Sequence, residues 1–240
     1  MFEEAIQAYR QKHGFGTFSP KAVLFDMDGV LFDSMPAHAR SWAKVCTEFG
    51  LEMTPEEAFM HEGRTGASTI NILARRHWGR EATEEEIRQI YAAKCEAFNA
   101  CAEAGKMRGA EQVLAQAKAA GLNLFVVTGS GQKSLLDRLR ENYPGIFADG
   151  HVISSKDVRH GKPSPEPYLK GLELAGAEPW EAVVVENAPL GVRSAVAARV
   201  FTIAVNTGPL PDHVLLDEGA DLLFSGMDAL AQSRFFETAV

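Results

Sequence analysis

Apolar residues recur along this chain in two rhythms. Short, nearly continuous apolar runs occur at residues 21–25, 122–128, 151–154, 182–186, 201–206 and 221–224. They are too short for typical helices and rich in Val, Leu, Ile and Phe, so they read as buried strands. From Gly109 onward they alternate with helical patterns. Val113, Leu114 and Ala117 mark a helix ending at Gly121, and others are expected at about 132–141, 165–175 (stopped by Gly176) and 189–199. Strand–helix alternation implies α/β architecture: a Rossmann-like, doubly wound parallel sheet with helices on both faces.

The rhythm differs over residues 35–105, which contain no strand pattern. Trp42, Val45 and Phe49 continue an apolar helix face up to Gly50. Thr54-Pro55-Glu56-Glu57 and Thr83-Glu84-Glu85-Glu86 have the form of capping boxes, and Ile87, Ile90, Tyr91 and Phe98 follow the second at helical spacing. The stretch reads as an all-helical insert in an α/β core made of residues 20–34 and 106–240. Ahead of the core, Phe2, Ile6 and Tyr9 predict a short packing helix over 2–12, joined by a connector to residue 19.

With 240 residues the chain suffices for one large domain or two small ones. A net charge of −8 argues against nucleic acid or an anionic membrane as partner. No apolar stretch reaches the length of a membrane span, and the acidic start Met1-Phe2-Glu3-Glu4 lacks a signal-peptide core. Cys46, Cys95 and Cys101 form no CxxC pair and read as reduced thiols, so a cytoplasmic location is expected.

Ligands of open parallel sheets bind beyond the carboxyl ends of the strands. Asp26, Thr128 and Glu186 each close an apolar run at such an end. Asp26 and Asp28 lie one residue apart, and Gly29 follows. Two acids there are costly unless a cation or hydrogen bonds pair them.

The stretch Asp26-Met27-Asp28-Gly29-Val30-Leu31-Phe32-Asp33-Ser34 resembles the first motif of the haloacid dehalogenase (HAD) superfamily of phosphotransferases. Three further stretches match the family's other motifs in order: Thr128-Gly129-Ser130, Gly161-Lys162-Pro163-Ser164-Pro165, and Val183-Val184-Val185-Glu186-Asn187. The resemblance covers roughly residues 20–225 and points to the β-phosphoglucomutase-like members, whose insert is a mobile cap. It implies strand order 5-4-1-2-3. It implies Asp26 as nucleophile, forming an aspartyl-phosphate, and Asp28 as general acid/base. The family's dehalogenases lack this second Asp, so its presence implies phosphoryl transfer. Thr128, Gly129 and Ser130 would hold phosphoryl oxygens, and Lys162 would neutralise Asp26 and the phosphoryl group. Gly129-Ser130-Gly131-Gln132-Lys133-Ser134 lacks the spacing of a Walker A loop. The implied cofactor is Mg²⁺, held by Asp26, the Asp28 carbonyl and the motif-four pair Glu186 and Asn187.

Two departures refine that expectation. Family members usually carry two acids in motif four, whereas this chain has Glu186-Asn187. The cap segment His61-Glu62-Gly63-Arg64-Thr65-Gly66 aligns with the family's substrate-specificity loop, so Glu62, Gly63, Arg64 and Thr65 are candidate substrate contacts. β-Phosphoglucomutase has Lys where Glu62 stands and Arg where Gly66 stands. Glu62 with Asn187 resembles a branch acting as inorganic pyrophosphatase. His38 and Lys94 match cap positions facing the mutase site, while His77, Trp42 and Trp78 read as packing. The expected partner is a small phosphorylated substrate: pyrophosphate, or alternatively a phosphosugar handled by a mutase or phosphatase. A non-catalytic phosphoacceptor is disfavoured because it needs neither a lid nor Asp28.

Overall fold

The computed structural model describes residues 2–131 and 133–239. Its centre is one parallel sheet of β1 (Ala22–Phe25), β2 (Asn123–Val127), β3 (Val152–Ile153), β4 (Ala182–Glu186), β5 (Phe201–Val205) and β6 (Leu222–Phe224), in spatial order β3-β2-β1-β4-β5-β6. This is the expected order with β6 added at the edge. Successive side chains along a strand face opposite ways, which divides the core into two layers. Val23, Phe25, Leu124, Val126, Val183, Val185, Phe201 and Ile203 join one cluster, and Ala22, Leu24, Phe125, Val127, Ala182 and Val184 join the other. Both faces are covered, so these strands read as continuous apolar runs.

The first layer is closed by α1 (Phe2–His13), α6 (Ala110–Ala119), α11 (Met227–Ser233) and α12 (Phe235–Thr238), and the second by α8 (Glu166–Ala175) and α9 (Pro189–Ala197). Helix α7 (Lys133–Asn142) follows β2, and α10 (Asp212–Leu216) precedes β6. Gln132, where the sequence pattern starts α7, lies outside the described residues. The sequence pattern singles out none of α10, α11 and α12. Helix α1 is more than an appendage: Tyr9 is fully buried in the first layer, and its hydroxyl donates to the Pro179 carbonyl at 3.1 Å and the Arg199 carbonyl at 2.9 Å.

Residues 35–105 form α2 (Met35–Glu48), α3 (Pro55–Met60), α4 (Gly66–Trp78) and α5 (Glu84–Asn99), which close on their own cluster around Val45, Leu51, Ile70, Leu73 and Ile90. Thr83 and Glu86 complete the expected capping box in both directions. At Thr54 only half of it forms. The Thr54 hydroxyl accepts the Glu57 N–H, but the Glu57 carboxylate pairs with Arg76 and His61 instead of reaching back. A charged guanidinium outcompetes a neutral amide for a carboxylate.

Asp221 couples this fold to pH. Its carboxylate accepts the Thr202 N–H at 2.8 Å, and burial pushes its pKa up to about 6 against the lowering effects of that bond and of Lys12. A carboxyl raised above its unfolded value of about 4 favours the folded state while protonated. That contribution is complete below about pH 4 and is lost as pH rises through about 6. Asp221→Asn keeps an acceptor for Thr202 and removes the titration. Its Tm relative to the native chain should therefore rise between pH 4 and pH 7, by about 2–4 °C for each kcal/mol recovered. Thermal denaturation across that range checks this, and a Tm difference that does not vary with pH would refute it.

Candidate active site

Register places the site. Phe25 pairs with Val126 on one side and Val185 on the other, so one step further Asp26 emerges between the ends of β2 and β4. Its N–H still bonds the Val185 carbonyl at 2.9 Å, while the Thr128 N–H bonds Ile153 at 2.9 Å. Asp26, Thr128, Glu186 and Asn187 are thereby brought to one edge, and all four are buried.

Lys162 enters from the loop before α8 and ends fully enclosed. Its ammonium donates to Asp26 Oδ1, to Glu186 Oε1 at 2.6 Å and to the Val127 carbonyl at 3.0 Å. Three donors meet three acceptors, which a buried ammonium requires. Glu186 differs from the expectation. Its Oε1 also accepts the Tyr168 hydroxyl at 2.8 Å, and its Oε2 accepts the Asn187 and Ala188 N–H groups at 2.9 and 3.0 Å. Both oxygens are engaged by protein donors, so Glu186 anchors Lys162 rather than presenting a free ligand oxygen. Tyr168 is absent from the sequence-level site. Its only signal there is a hydroxyl-bearing ring at the start of an apolar helix face.

Asp28 is held from the helical insert. Its Oδ1 accepts the Ser34 hydroxyl at 2.5 Å and faces His38 Nε2 at 3.2 Å, and Lys94 Nζ lies 2.8 Å from His38 Nδ1. An ammonium can only donate, so Nδ1 accepts and Nε2–H donates to Asp28. The expected packing residue Trp42 lines the site too, with the Lys94 ammonium 5.7 Å from its ring and 4.9 Å from that of Phe98. Burial pushes the Lys94 pKa down to about 8 and lowers that of His38. Burial alone would raise Asp28, but His38, Ser34 and Lys94 together hold it below the usual carboxylate range. Asp26 moves the other way. Burial raises it, Lys162 opposes, and the charges of Glu186 and Asp28 raise it further.

The 61–66 segment reaches the same place. Asn187 Nδ2 donates to both Glu62 oxygens at 3.2 Å. Both Glu62 oxygens act as acceptors here, and the amide is set with its NH₂ toward the insert. Asn187 Oδ1 is left buried with no protein partner. Glu62 is itself driven well above the usual carboxylate range by burial and by Asp26, Glu186 and Asp28. Thr128 Oγ1 accepts the Ser130 N–H at 3.0 Å, which tightens the turn at Gly129. Asp26, Asp28, Glu62, Arg64, Lys94 and Gly129 are among the residues around a cavity of ≈ 70 Å³. Among the described residues Arg64 Nε is buried without a hydrogen-bond partner, and burial and the charge of Arg193 lower the proton affinity of the guanidinium. Thr65 caps α4 by accepting the Ser68 N–H at 3.3 Å, so its hydroxyl serves the helix.

These residues suit a hard divalent cation. An orphaned amide oxygen sits near Asp26 and Glu62, whose proton affinities are raised first by burial and then by neighbouring carboxylates. Among the described residues no three His, Cys, Asp or Glu side chains form a cage. The donors at hand are instead a carboxylate, an amide and backbone oxygens, which suits an ion that also keeps waters and substrate phosphate.

A parallel sheet with paired aspartates at its central strand end and a buried lysine beside them defines a carboxylate-centred hydrolase site. Residues 23–205 match the family profile described as haloacid dehalogenase-like hydrolase, and the chain belongs to that family. It is 35% identical to hexitol phosphatase A of Escherichia coli over 189 residues, 78% of this chain and 83% of that one. It is 28% identical over 207 residues to a Caldanaerobacter subterraneus protein provisionally described as pyrophosphatase PpaX, 86% of this chain and 90% of that one. A solved Bacteroides vulgatus structure, provisionally described as a beta-phosphoglucomutase, is 57% identical, with a TM-score of 0.94 over 98% of this chain and 96% of that one.

Tyr168→Phe tests the anchoring of Glu186. Losing one donor from a buried carboxylate should cost about 1–3 kcal/mol, read as a lower denaturation midpoint at unchanged m-value. Unchanged stability would mean that the hydroxyl contributes nothing to holding Glu186.

Proposed function

We propose that this chain, a HAD-type phosphatase, hydrolyses inorganic pyrophosphate with Mg²⁺ as cofactor. The contact between Glu62 and Asn187 carries the reading. It brings an acid of the insert onto the core residue whose free oxygen fits a metal. Such closeness leaves room only for a small substrate, in keeping with a cavity of ≈ 70 Å³ against about 300–1,000 Å³ for ordinary ligand pockets. Tyr91 supports the same limit. Its ring lies so close to Gly66 that a Cβ there would approach within 2.3 Å, leaving no space for the phosphate-binding Arg of the mutases.

In the mechanism, residues 35–105 act as a cap over the core. A carboxylate oxygen of Asp26 attacks one phosphorus, and the bond from that phosphorus to the bridging oxygen breaks. Asp28 gives its proton to the departing phosphate. Asp28 then takes a proton from water, whose oxygen attacks the aspartyl-phosphate, releasing the second phosphate and restoring Asp26. Lys162 balances charge on the phosphoryl oxygens, and the N–H of Gly129 receives one of them. His38 and Lys94 aim Asp28. Mg²⁺, held by Asp26, the Asp28 carbonyl and Asn187, would supply neutralising charge for those oxygens. Glu186 acts through Lys162 in this scheme.

The E. coli relative supports a second reading, a phosphosugar phosphatase using the same machinery with the cap raised. Phosphate release across pyrophosphate, hexitol and hexose phosphates and small phosphomonoesters separates the two. A lead of phosphosugars over pyrophosphate in kcat/KM would replace the first reading with the second.

Asp26→Asn should abolish turnover of every substrate while the fold persists, and near-native activity would end the covalent mechanism. Glu62→Ala should lower kcat/KM for pyrophosphate by about 10- to 1,000-fold, the range for one positioned charge in a dry site. Phosphomonoesters should change far less, and equal losses on both would show that Glu62 has no size-selective role. Chelation by EDTA should silence the enzyme, with Mg²⁺ restoring it.

A further inference from the structure

The cap meets the core through glycines. A Cβ built on Gly129 would lie 2.6 Å from the Gly63 carbonyl oxygen and 2.9 Å from its carbon. One on Gly161 would lie 2.8 Å from Thr65 Cγ2, and one on Gly208 would lie 3.0 Å from the Phe59 ring. The three come from the loops after β2, β3 and β5, and all face residues 59–65. Three core loops thus each present a position without a side chain where the cap descends. Gly129 is the tightest of these contacts, and its obstacle is backbone, which cannot rotate away.

We propose that Gly129, seconded by Gly161 and Gly208, determines substrate size selectivity by letting the 59–65 segment descend to backbone contact with the core. This deepens the pyrophosphate reading and rests on it. A substrate no larger than two joined phosphates is turned over with these contacts made. A phosphomonoester with a bulky alcohol is turned over with Gly63 held off Gly129. The selectivity of Glu62 follows, because it adjoins Gly63 and reaches Asn187 only in the descended position.

The backbone at Gly129 is not in the left-handed region, so alanine there adds no strain of its own. The three atoms nearest the added methyl all belong to Gly63 of the cap. Clearing the Gly63 carbonyl moves the loop by about 1 Å, and such a displacement at a reacting centre can cost on the order of 100-fold. Gly131 provides a control on the same loop. A Cβ there would meet the Ser155 hydroxyl at 2.6 Å, a group able to rotate, and its next nearest atoms belong to Lys156 of the core.

The experiment measures kcat/KM for pyrophosphate, p-nitrophenyl phosphate and glucose 6-phosphate in native protein, Gly129→Ala and Gly131→Ala. In Gly129→Ala, pyrophosphate hydrolysis should fall about 100-fold and the monoesters less than about tenfold. Gly131→Ala should keep the native ratio. A uniform loss in Gly129→Ala, or an unchanged ratio, overturns the proposal. Amide hydrogen exchange supplies a readout besides activity. With Mg²⁺ and inorganic phosphate added, amides of residues 61–66 should gain protection in native protein and Gly131→Ala but not in Gly129→Ala. Equal protection in all three overturns the claim. A native preference for phosphosugars would instead overturn the pyrophosphate reading, leaving the spacing claim to the exchange data.

Discussion

One buried ammonium ties the carboxyl edge of the sheet together. Lys162 bonds Asp26 after β1, the Val127 carbonyl at the end of β2 and Glu186 at the end of β4. Removing a charge from water costs several kcal/mol unless partners replace the hydration, and here each donor finds an oxygen. Glu186, for its part, accepts four bonds and has no freedom to turn. Two carboxylates against one ammonium still leave negative charge in a dry place. That residue of charge is what the site offers to a cation and withholds from a second anion until a cation is present.

The two aspartates are shifted in opposite senses. The insert brings His38 and Lys94 toward Asp28, whose proton affinity falls, while burial and the core acids Glu186 and Asp28 raise that of Asp26. Neighbouring carboxyls in unlike surroundings are how one site runs acid and nucleophilic chemistry together. In the protein alone the order is the reverse of what those proposed roles require. A divalent cation against Asp26 and phosphoryl charge beside Asp28 would invert it, so readiness for chemistry arises from assembling the site rather than from the fold alone.

Much of the architecture was legible because its causes are local. Strands buried on both faces appear as continuous apolar runs, and the Thr83 box formed because its partners are three residues apart. Where distant groups compete, local reading failed. Glu57 had a nearby amide available and took Arg76, nineteen positions away. The small helices α10, α11 and α12 carry too few turns to show a period. Tyr9 looked like one apolar position among three and proved to be a fully buried anchor, because its hydroxyl finds two carbonyls more than 160 residues away in sequence.

By itself the sequence determined the sheet and the strand-end edge at which Asp26, Asp28, Thr128, Lys162 and Glu186 gather, since strand ends and motif order are properties of a line. Only the tertiary structure decided what those groups do to one another. It turned Glu186 toward Lys162 and Tyr168, set Asn187 between Glu62 and an open oxygen position, and brought Gly63 down on Gly129. Hydrogen-bond capacity and steric contact depend on which atoms lie within about 3 Å, and chain position does not encode that distance.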